Sequence, residues 1–322
     1  MTRFNNLLLT NRQNLRNASN LLNGLRSPFS SLINPFRELR EEIISHPACN
    51  HSLFSYLQEQ SKEGFTPKQW ETWMINFLSR TQMTIPSIAM TVAAAAKNND
   101  YETIAETAKN LWDEAGYGNP EKVHSKLLFN TCNLHSRIVF GMPEITFEEV
   151  KNSNLILPAT INFVDSKLMI FNWPYQGIVG NTWAHEFAAD GMLTGFERGL
   201  FRPFDTFYSE EDLTKSKEFF HAHRDETKEG GDIELQHGQM AEAAAIRSCK
   251  GNIDNVDLVR EGAMEFLSKQ NELWTAIEEA MQKARHVGKI VSPNKISKIN
   301  NPSFRISNAE ISQVQSNLDK IR

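Results

Sequence analysis

The residues best suited to bind a metal ion are concentrated between Phe219 and Ala245. This stretch, FFHAHRDETKEGGDIELQHGQMAEAAA, contains three of the nine histidines of the chain and a series of carboxylates. Its second half has a helical pattern, and Glu234 and His237 are three residues apart, so their side chains leave one face of a helix about one turn apart. Helix bundles hold metals in their cores with such Glu-x-x-His pairs. A solvated helix with incidental acids is the competing interpretation.

A carboxylate and a histidine flank a predicted turn in the segment NLWDEAGYGNPEKVHSKLLF, residues 110–129. The glycines of GYG end one helix, and the following Asn119-Pro120 is typical of the N-cap and first position of the next helix. Glu114 would close the first helix and His124 would lie in the second turn of the next. The two side chains could then converge on one point, whereas on one straight helix they would be roughly 15 Å apart. The alternative is a surface corner at which His124 has no special role.

A third carboxylate, Glu186, lies on a helix predicted from residue 181 to about 198, after a predicted loop over residues 172–180 that contains a proline and two glycines. Only one face of this helix is expected to be apolar. Glu186 shares a stripe with Trp183, Asp190 and Leu193, so it should point inward and need a partner, because a lone buried carboxylate is costly. His185 lies about 100° around the helix and is interpreted as a structural or surface histidine.

The remaining pattern predicts helices and no persistent strand. Apolar residues recur at spacings of three and four from residue 35 to 97, from 100 to 112 and from 257 to 284. Thr66-Pro67 has the residues of a helix N-terminus, and Thr146 with Glu149 has the spacing of a capping box. The predicted fold class is all-α.

The ends of the chain differ in composition from its middle. Residues 1–37 contain five arginines and no acidic residue, which predicts a basic N-terminal extension, with an organelle transit peptide as the alternative. Residues 286–322 are rich in Ser, Asn and Lys and are predicted to be a polar C-terminal tail. The helical domain is therefore expected to span residues 38–285.

The overall charge and the cysteines exclude several classes of function. A net charge of -5 argues against a general nucleic-acid or anionic-membrane binder. No run approaches the roughly 18 apolar residues of a membrane span. Cys49, Cys132 and Cys249 have no zinc-like spacing, which fits a reducing compartment. The expected location is the cytoplasm.

Five segments together resemble the haem-oxygenase-like di-iron oxidases, also called iron-containing redox enzymes. They are DEAGYGNPEKVHSKLL, GNTWAHEFAADG, the FF-x-x-H of FFHAH, HGQMA and GAMEFLSKQNELW, and the resemblance covers roughly residues 70–285. It implies a haem-oxygenase-like seven-helix bundle that contains no haem, here with N- and C-terminal extensions.

The resemblance also implies which residues bind the metal. Glu114, His124 and Glu186 match the first three ligand positions of the family, whose later helix usually carries His-x-x-x-Asp-x-x-His. Here thirteen residues separate His223 from His237 instead of six, and on one continuous helix these histidines would be roughly 21 Å apart. A break at Gly230-Gly231 would let the chain fold back. The expected ligands are Glu114, His124, Glu186, His223, Glu234 and His237, with His221, Asp225 and Asp232 as alternatives.

Carboxylates combined with imidazoles favour iron or manganese over zinc, and iron is the preferred metal. The resemblance implies two iron ions per chain and O2 as co-substrate. The implied enzyme is a non-haem di-iron oxidoreductase that N-hydroxylates, desaturates or cleaves a small amino-acid-like or fatty-acid-like substrate. An external electron donor and a homodimer are left open.

The sequence leaves two other functions as alternatives. A ferritin-like carboxylate protein normally shows two Glu-x-x-His pairs, and the sequence offers only Glu234 with His237. A metal-poor helical interaction protein on the same fold would use the basic N-terminus and the polar tail as binding parts. Metal content separates both from the oxidase.

Overall fold

The computed structural model describes residues 32–224 and 233–293, and for residues 33, 224 and 233–235 it describes the backbone alone. Within these ranges the chain is helical, and the single extended pairing is a bridge between Phe65 and Val291, so the all-α prediction is confirmed. The helices are α1 Ile33–Ser45, α2 Ser52–Glu63, α3 Pro67–Thr81, α4 Thr84–Lys97, α5 Tyr101–Glu114, α6 His124–Phe140, α7 Phe147–Lys151, α8 Pro158–Met169, α9 Tyr175–Phe196, α10 Glu210–Arg224, α11 Ile233–Ser248 and α12 Asp254–Ala284.

Two of the helix starts follow the capping residues seen in the sequence. Thr66 accepts a hydrogen bond from the backbone N–H of Gln69, whose side chain in turn accepts one from the N–H of Thr66, at the start of α3. Thr146 and Glu149 form the same reciprocal pair at the start of α7. Each capping box satisfies backbone N–H groups that have no partner within the helix.

The central helix of the fold is α9, and two sequence expectations for it were wrong. It begins at Tyr175, so most of the predicted loop over residues 172–180 is helical. It is also buried around most of its circumference instead of on one face, although Asp190 is exposed. The glycines that suggested a loop instead permit close packing against α12: a Cβ on Gly180 would lie 2.1 Å from the carbonyl oxygen of Val259, and one on Gly262 would lie 1.9 Å from that of Gly177.

An aromatic core fills the space between α3, α9 and α12. Trp73 stacks on Phe77 with ring centroids 5.0 Å apart, Phe77 contacts Phe196 edge to face at 4.7 Å, and Phe196 contacts Trp274 at 5.4 Å. Edge-to-face and offset contacts are the favoured geometries of aromatic pairs. The helices that form this core also carry polar residues of the site described below.

The predicted domain limits stay predictions. The helix α1 begins five residues before the expected domain start at residue 38, and Leu32 and Phe36 are buried in the core. Residues 1–31 and 294–322 lie outside the described residues, as does the predicted break at Gly230-Gly231. None of the described helices combines the length and the apolarity of a membrane-spanning segment.

Candidate metal centre

The turn between α5 and α6 brings Glu114 and His124 together. Glu114 is the last residue of α5, and the chain reverses through Gly116, Tyr117 and Gly118, all at positive φ. A Cβ on Gly116 would lie 2.4 Å from the carbonyl carbon of Lys122, so a glycine is required there.

The next helix starts later than the sequence indicated. Asn119 does not cap α6: its side chain accepts a hydrogen bond from the backbone N–H of Glu121 at 3.0 Å within the turn. The helix begins at His124 itself, with Val123 as N-cap residue. His124 is therefore in the first turn of α6, where it lies directly opposite the end of α5.

A first group of candidate ligands consists of Glu114, His124 and His223. Nδ1 of His124 lies 3.3 Å from Oε1 of Glu114, and Nε2 of His223 lies 3.6 Å from the same oxygen. All three residues are buried, and a set of one ligand atom from each lies within 4.8 Å. The distances suit three side chains that surround one ion.

The free ring nitrogens of this group fit a metal. Nδ1 of His223 lies 2.7 Å from the backbone carbonyl of Phe219 and donates to that oxygen, so Nε2, which is directed at Glu114, can bind a metal once it loses its proton. Nδ1 of His124 is buried and has no hydrogen-bond partner among the described residues. Metal-bound histidines characteristically use one ring nitrogen for the metal and donate from the other to a carbonyl or carboxylate.

A second group lies beside the first and consists of Asp113, Glu186 and His237. Nε2 of His237 is 3.4 Å from Oδ2 of Asp113, and its Nδ1 is 3.9 Å from Oε2 of Glu186. The amide of Asn110 donates to Oε1 of Glu186 at 3.1 Å. Because Asp113 and Glu114 are adjacent in the chain, the two groups share the end of α5.

His223 and His237 belong to two separate helices that approach each other. On one straight helix their 14-residue separation would place them roughly 21 Å apart, yet they contact the neighbouring residues Glu114 and Asp113. The sequence argument that the two histidines cannot share one continuous helix therefore agrees with the described geometry.

The buried carboxylates and imidazoles of the two groups shift one another's pKa values. Burial disfavours ionisation of Glu114, but His124 and His223 more than offset this and hold the pKa of its carboxyl well below the usual value. Burial raises the pKa of the Glu186 carboxyl, and His237 opposes this only in part. Burial would lower the pKa of His237, but its hydrogen bond to Asp113 and the neighbouring carboxylates raise it. Such a concentration of mutually shifted carboxylates and imidazoles is typical of a functional site.

A cleft of about 570 Å³, including the part open to solvent, leads to the first group. Glu114, His124, Glu186 and His223 all line it. A smaller cavity, lined by Glu186 and His237, reaches the second group from another side. Glu186 thus faces both cavities and lies between the two groups.

Two further polar residues, His185 and Arg80, line the larger cleft. The sequence indicated another role for His185 and none for Arg80. His185, expected to be a structural or surface histidine, is buried with Nδ1 unpartnered among the described residues. Burial, with the nearby charges of Lys167 and Arg80, lowers its pKa far below the usual value. Arg80 is buried in the same wall.

The structure brings together five of the six preferred ligands: Glu114, His124, Glu186, His223 and His237. The side chain of Glu234 and the alternatives Asp225 and Asp232 lie outside the described residues. His221 is exposed on α10, two residues before His223 and so on another face. Asp113 was not predicted, although it precedes Glu114 in the same DEAG motif. The role of all these residues as ligands stays a prediction.

A profile of the family described as iron-containing redox enzymes matches residues 73–270, a range that includes both groups. Two crystal structures of a CADD-like protein of unknown function from Nostoc punctiforme PCC 73102 are similar to this chain. One has a TM-score of 0.54 at 16% identity and covers 78% of this chain and 98% of that chain. The other has a TM-score of 0.55 at 15% identity and covers 79% and 99%. No curated protein matches the sequence. The expected haem-oxygenase-like helical fold is confirmed.

Proposed function

Because the chain belongs to the family of iron-containing redox enzymes, we propose that it is a non-haem di-iron oxidase that uses O2 to oxidise a small organic substrate. The observation that carries the proposal is the pair of buried carboxylate and histidine groups at the end of α5, one of which lines a solvent-connected cleft. Oxygen and imidazole donors without thiolates suit iron.

Glu114, His124 and His223 fit one ion, because one ligand atom from each lies within 4.8 Å of the others. Asp113, Glu186 and His237 would hold the second ion; Asp113 and Glu186 lie against opposite ring nitrogens of His237, so the ring would bind the ion through one of these atoms and the farther carboxylate would have to turn toward it. Iron bound there would supply the activation of dioxygen. Without a cation, these six buried acidic and basic groups would have to balance each other at separations of 3.3 to 3.9 Å, which are longer than good hydrogen bonds.

The rest of the cleft would bind the substrate and exclude water. Phe77, Leu128 and Met192 contribute apolar walls, and the hydroxyl-bearing Thr81 and Ser125 contribute polar contacts. A mostly apolar cleft with a few polar groups is the usual form of a small-molecule site. The substrate would therefore lie against Glu114 and His124, with its reacting end toward the carboxylates.

The test is oxygen uptake by protein loaded anaerobically with ferrous ion. We expect the loaded protein to consume O2 faster than the same concentration of free ferrous ion, with oxidation of the iron followed by its absorbance. A His223→Ala, His237→Ala double variant should consume no more than the buffer control. Uptake by the wild-type protein that equals the buffer control would contradict the proposal.

A further inference from the structure

The buried arginine Arg80 has no carboxylate partner among the side chains that the structure describes. It lies in the last turn of α3, is 3% exposed and lines the larger cleft with Glu114 and His124. Its Nη2 donates to the amide oxygen of Gln270 at 2.7 Å, a neutral acceptor. Within residues 32–224 and 233–293, no described acidic side chain forms an ion pair with it.

Arg40 provides the comparison within the same protein. It is 7% exposed, and its guanidinium lies over the ring of Phe187, as that of Arg80 lies over the rings of Phe163 and Trp274. In both arginines the Nε atom is unpartnered among the described residues. Arg40, however, has a counter-ion, with Nη1 3.8 Å from Oε2 of Glu242. Among the described residues, the two arginines thus differ in whether a carboxylate of the protein pairs with them.

The acids that act on Arg80 at longer range do not remove this difference. They are Glu114 and Glu186, the two carboxylates assigned above to the metal groups. Once their charge is engaged by metal ions, Arg80 keeps a buried positive charge without an anion. An isolated buried charge is costly, so a site of this kind favours a ligand that supplies the missing charge.

The residues that line the cleft around Arg80 determine which anions can bind there. Arg80 is the one lysine or arginine among the described residues that line the cleft, so the cleft offers one guanidinium to an anion. The nearby buried Lys167 donates instead to the side chain of Asn181. His185, whose Nδ1 has no partner among the described residues, lines the same cleft and can donate a hydrogen bond from that atom. The remaining walls are mainly apolar, with Phe77, Leu128 and Met192 among them. A guanidinium binds a carboxylate through two parallel hydrogen bonds.

We propose that Arg80 binds the carboxylate of the substrate, and that the substrate is a monocarboxylic acid with an apolar body. The aromatic rings of Phe163 and Trp274 hold the guanidinium in place. Gln270 accepts a hydrogen bond from Nη2, and Nε has no partner among the described residues, so the second hydrogen of Nη2 and the hydrogen of Nε can donate in parallel to a carboxylate. This inference rests on the proposed function, both for the substrate and for the metal ions that engage Glu114 and Glu186, whereas its test is the binding of an anion and not its oxidation.

The experiment measures binding of phenylacetate and hexanoate by calorimetry to anaerobic, iron-loaded protein and to metal-free protein. Phenylacetamide and phenyl phosphate test the charge and the shape of the anion. We expect both carboxylates to bind the iron-loaded protein, and the amide to bind at least about tenfold more weakly. Arg80→Gln should weaken carboxylate binding by about 30-fold with unchanged iron content and helicity. Arg80→Lys, which keeps the charge, should recover part of that loss.

Arg40→Gln is the matched control, because it removes another buried arginine, one that already has a counter-ion. It should leave carboxylate binding unchanged. Equal binding to wild-type and Arg80→Gln protein, equal binding of the amide, tighter binding of phenyl phosphate, or no binding of either carboxylate would overturn the inference. If the protein takes up iron and consumes O2 but carboxylate binding does not depend on Arg80, the proposed function stands and the inference about Arg80 fails. If binding depends on Arg80 in a protein that takes up no iron, the anion site stands and the proposed function fails.

Discussion

Replacing either His223 or His237 by alanine is expected to remove about half of the iron from the protein. His223 contacts Glu114 in the first group, and His237 contacts Asp113 in the second. Each substitution therefore leaves one group complete. We expect the iron content to fall from about two ions per chain to about one in each single variant, and to near zero in the double variant. Iron is measured after anaerobic loading and desalting.

His221→Ala is the matched control for this experiment. His221 lies two residues from His223 on α10 but is exposed, so its removal should leave the iron content unchanged. The same control decides between the two histidines that the sequence left open. Full iron content in His223→Ala protein, or loss of iron in His221→Ala protein, would contradict the placement of the first group. Circular dichroism of each variant checks that the helices persist.

Replacing Gly262 by alanine is expected to prevent stable folding. The added Cβ would lie 1.9 Å from the carbonyl oxygen of Gly177 and 2.8 Å from its Cα. Backbone cannot yield as a flexible side chain can, so α9 and α12 would have to separate along their contact. Overpacking of this kind exceeds the usual 1–3 kcal/mol, and we expect a loss of at least about 4 kcal/mol in the free energy of unfolding. Urea unfolding, or recovery of soluble protein, measures it.

Gly238→Ala is the corresponding control on α11. Its Cβ would meet only the ring of Phe187 at 3.5 Å, an ordinary contact. The gain in helix propensity of about 1 kcal/mol from Gly to Ala should make this variant as stable as the wild type or slightly more so. If Gly262→Ala and Gly238→Ala unfold at the same urea concentration, the close approach of α9 and α12 is wrong.

The sequence predicted local features best where a few neighbouring residues determine them. The capping residues Thr66 and Thr146 start their helices as expected, because a capping box depends on contacts within one turn. The turn that brings Glu114 to His124 was also predicted, from its two glycines. Its details were not: α6 starts at His124 because residues 119–122 form further turns instead of the first helical turn.

Features set by tertiary packing were predicted less well. The pair Gly177 and Gly180 indicated a loop, since the sequence alone cannot show that α12 lies against them. Asp113 was missed because an adjacent residue on a helix projects about 100° away from Glu114, and its contact with His237 comes from another helix. The position of His185 in the cleft was missed for the same reason, because the residues that line the cleft beside it come from other helices.

The most direct test of the two-ion centre is a crystal of the protein grown anaerobically with ferrous ion, with diffraction data collected on both sides of the iron absorption edge. The account predicts two anomalous peaks about 4 Å apart. One should be bound by Glu114, His124 and His223, and the other by Asp113, Glu186 and His237. A map without iron in the core, or with iron only at sites that these side chains do not reach, would contradict it.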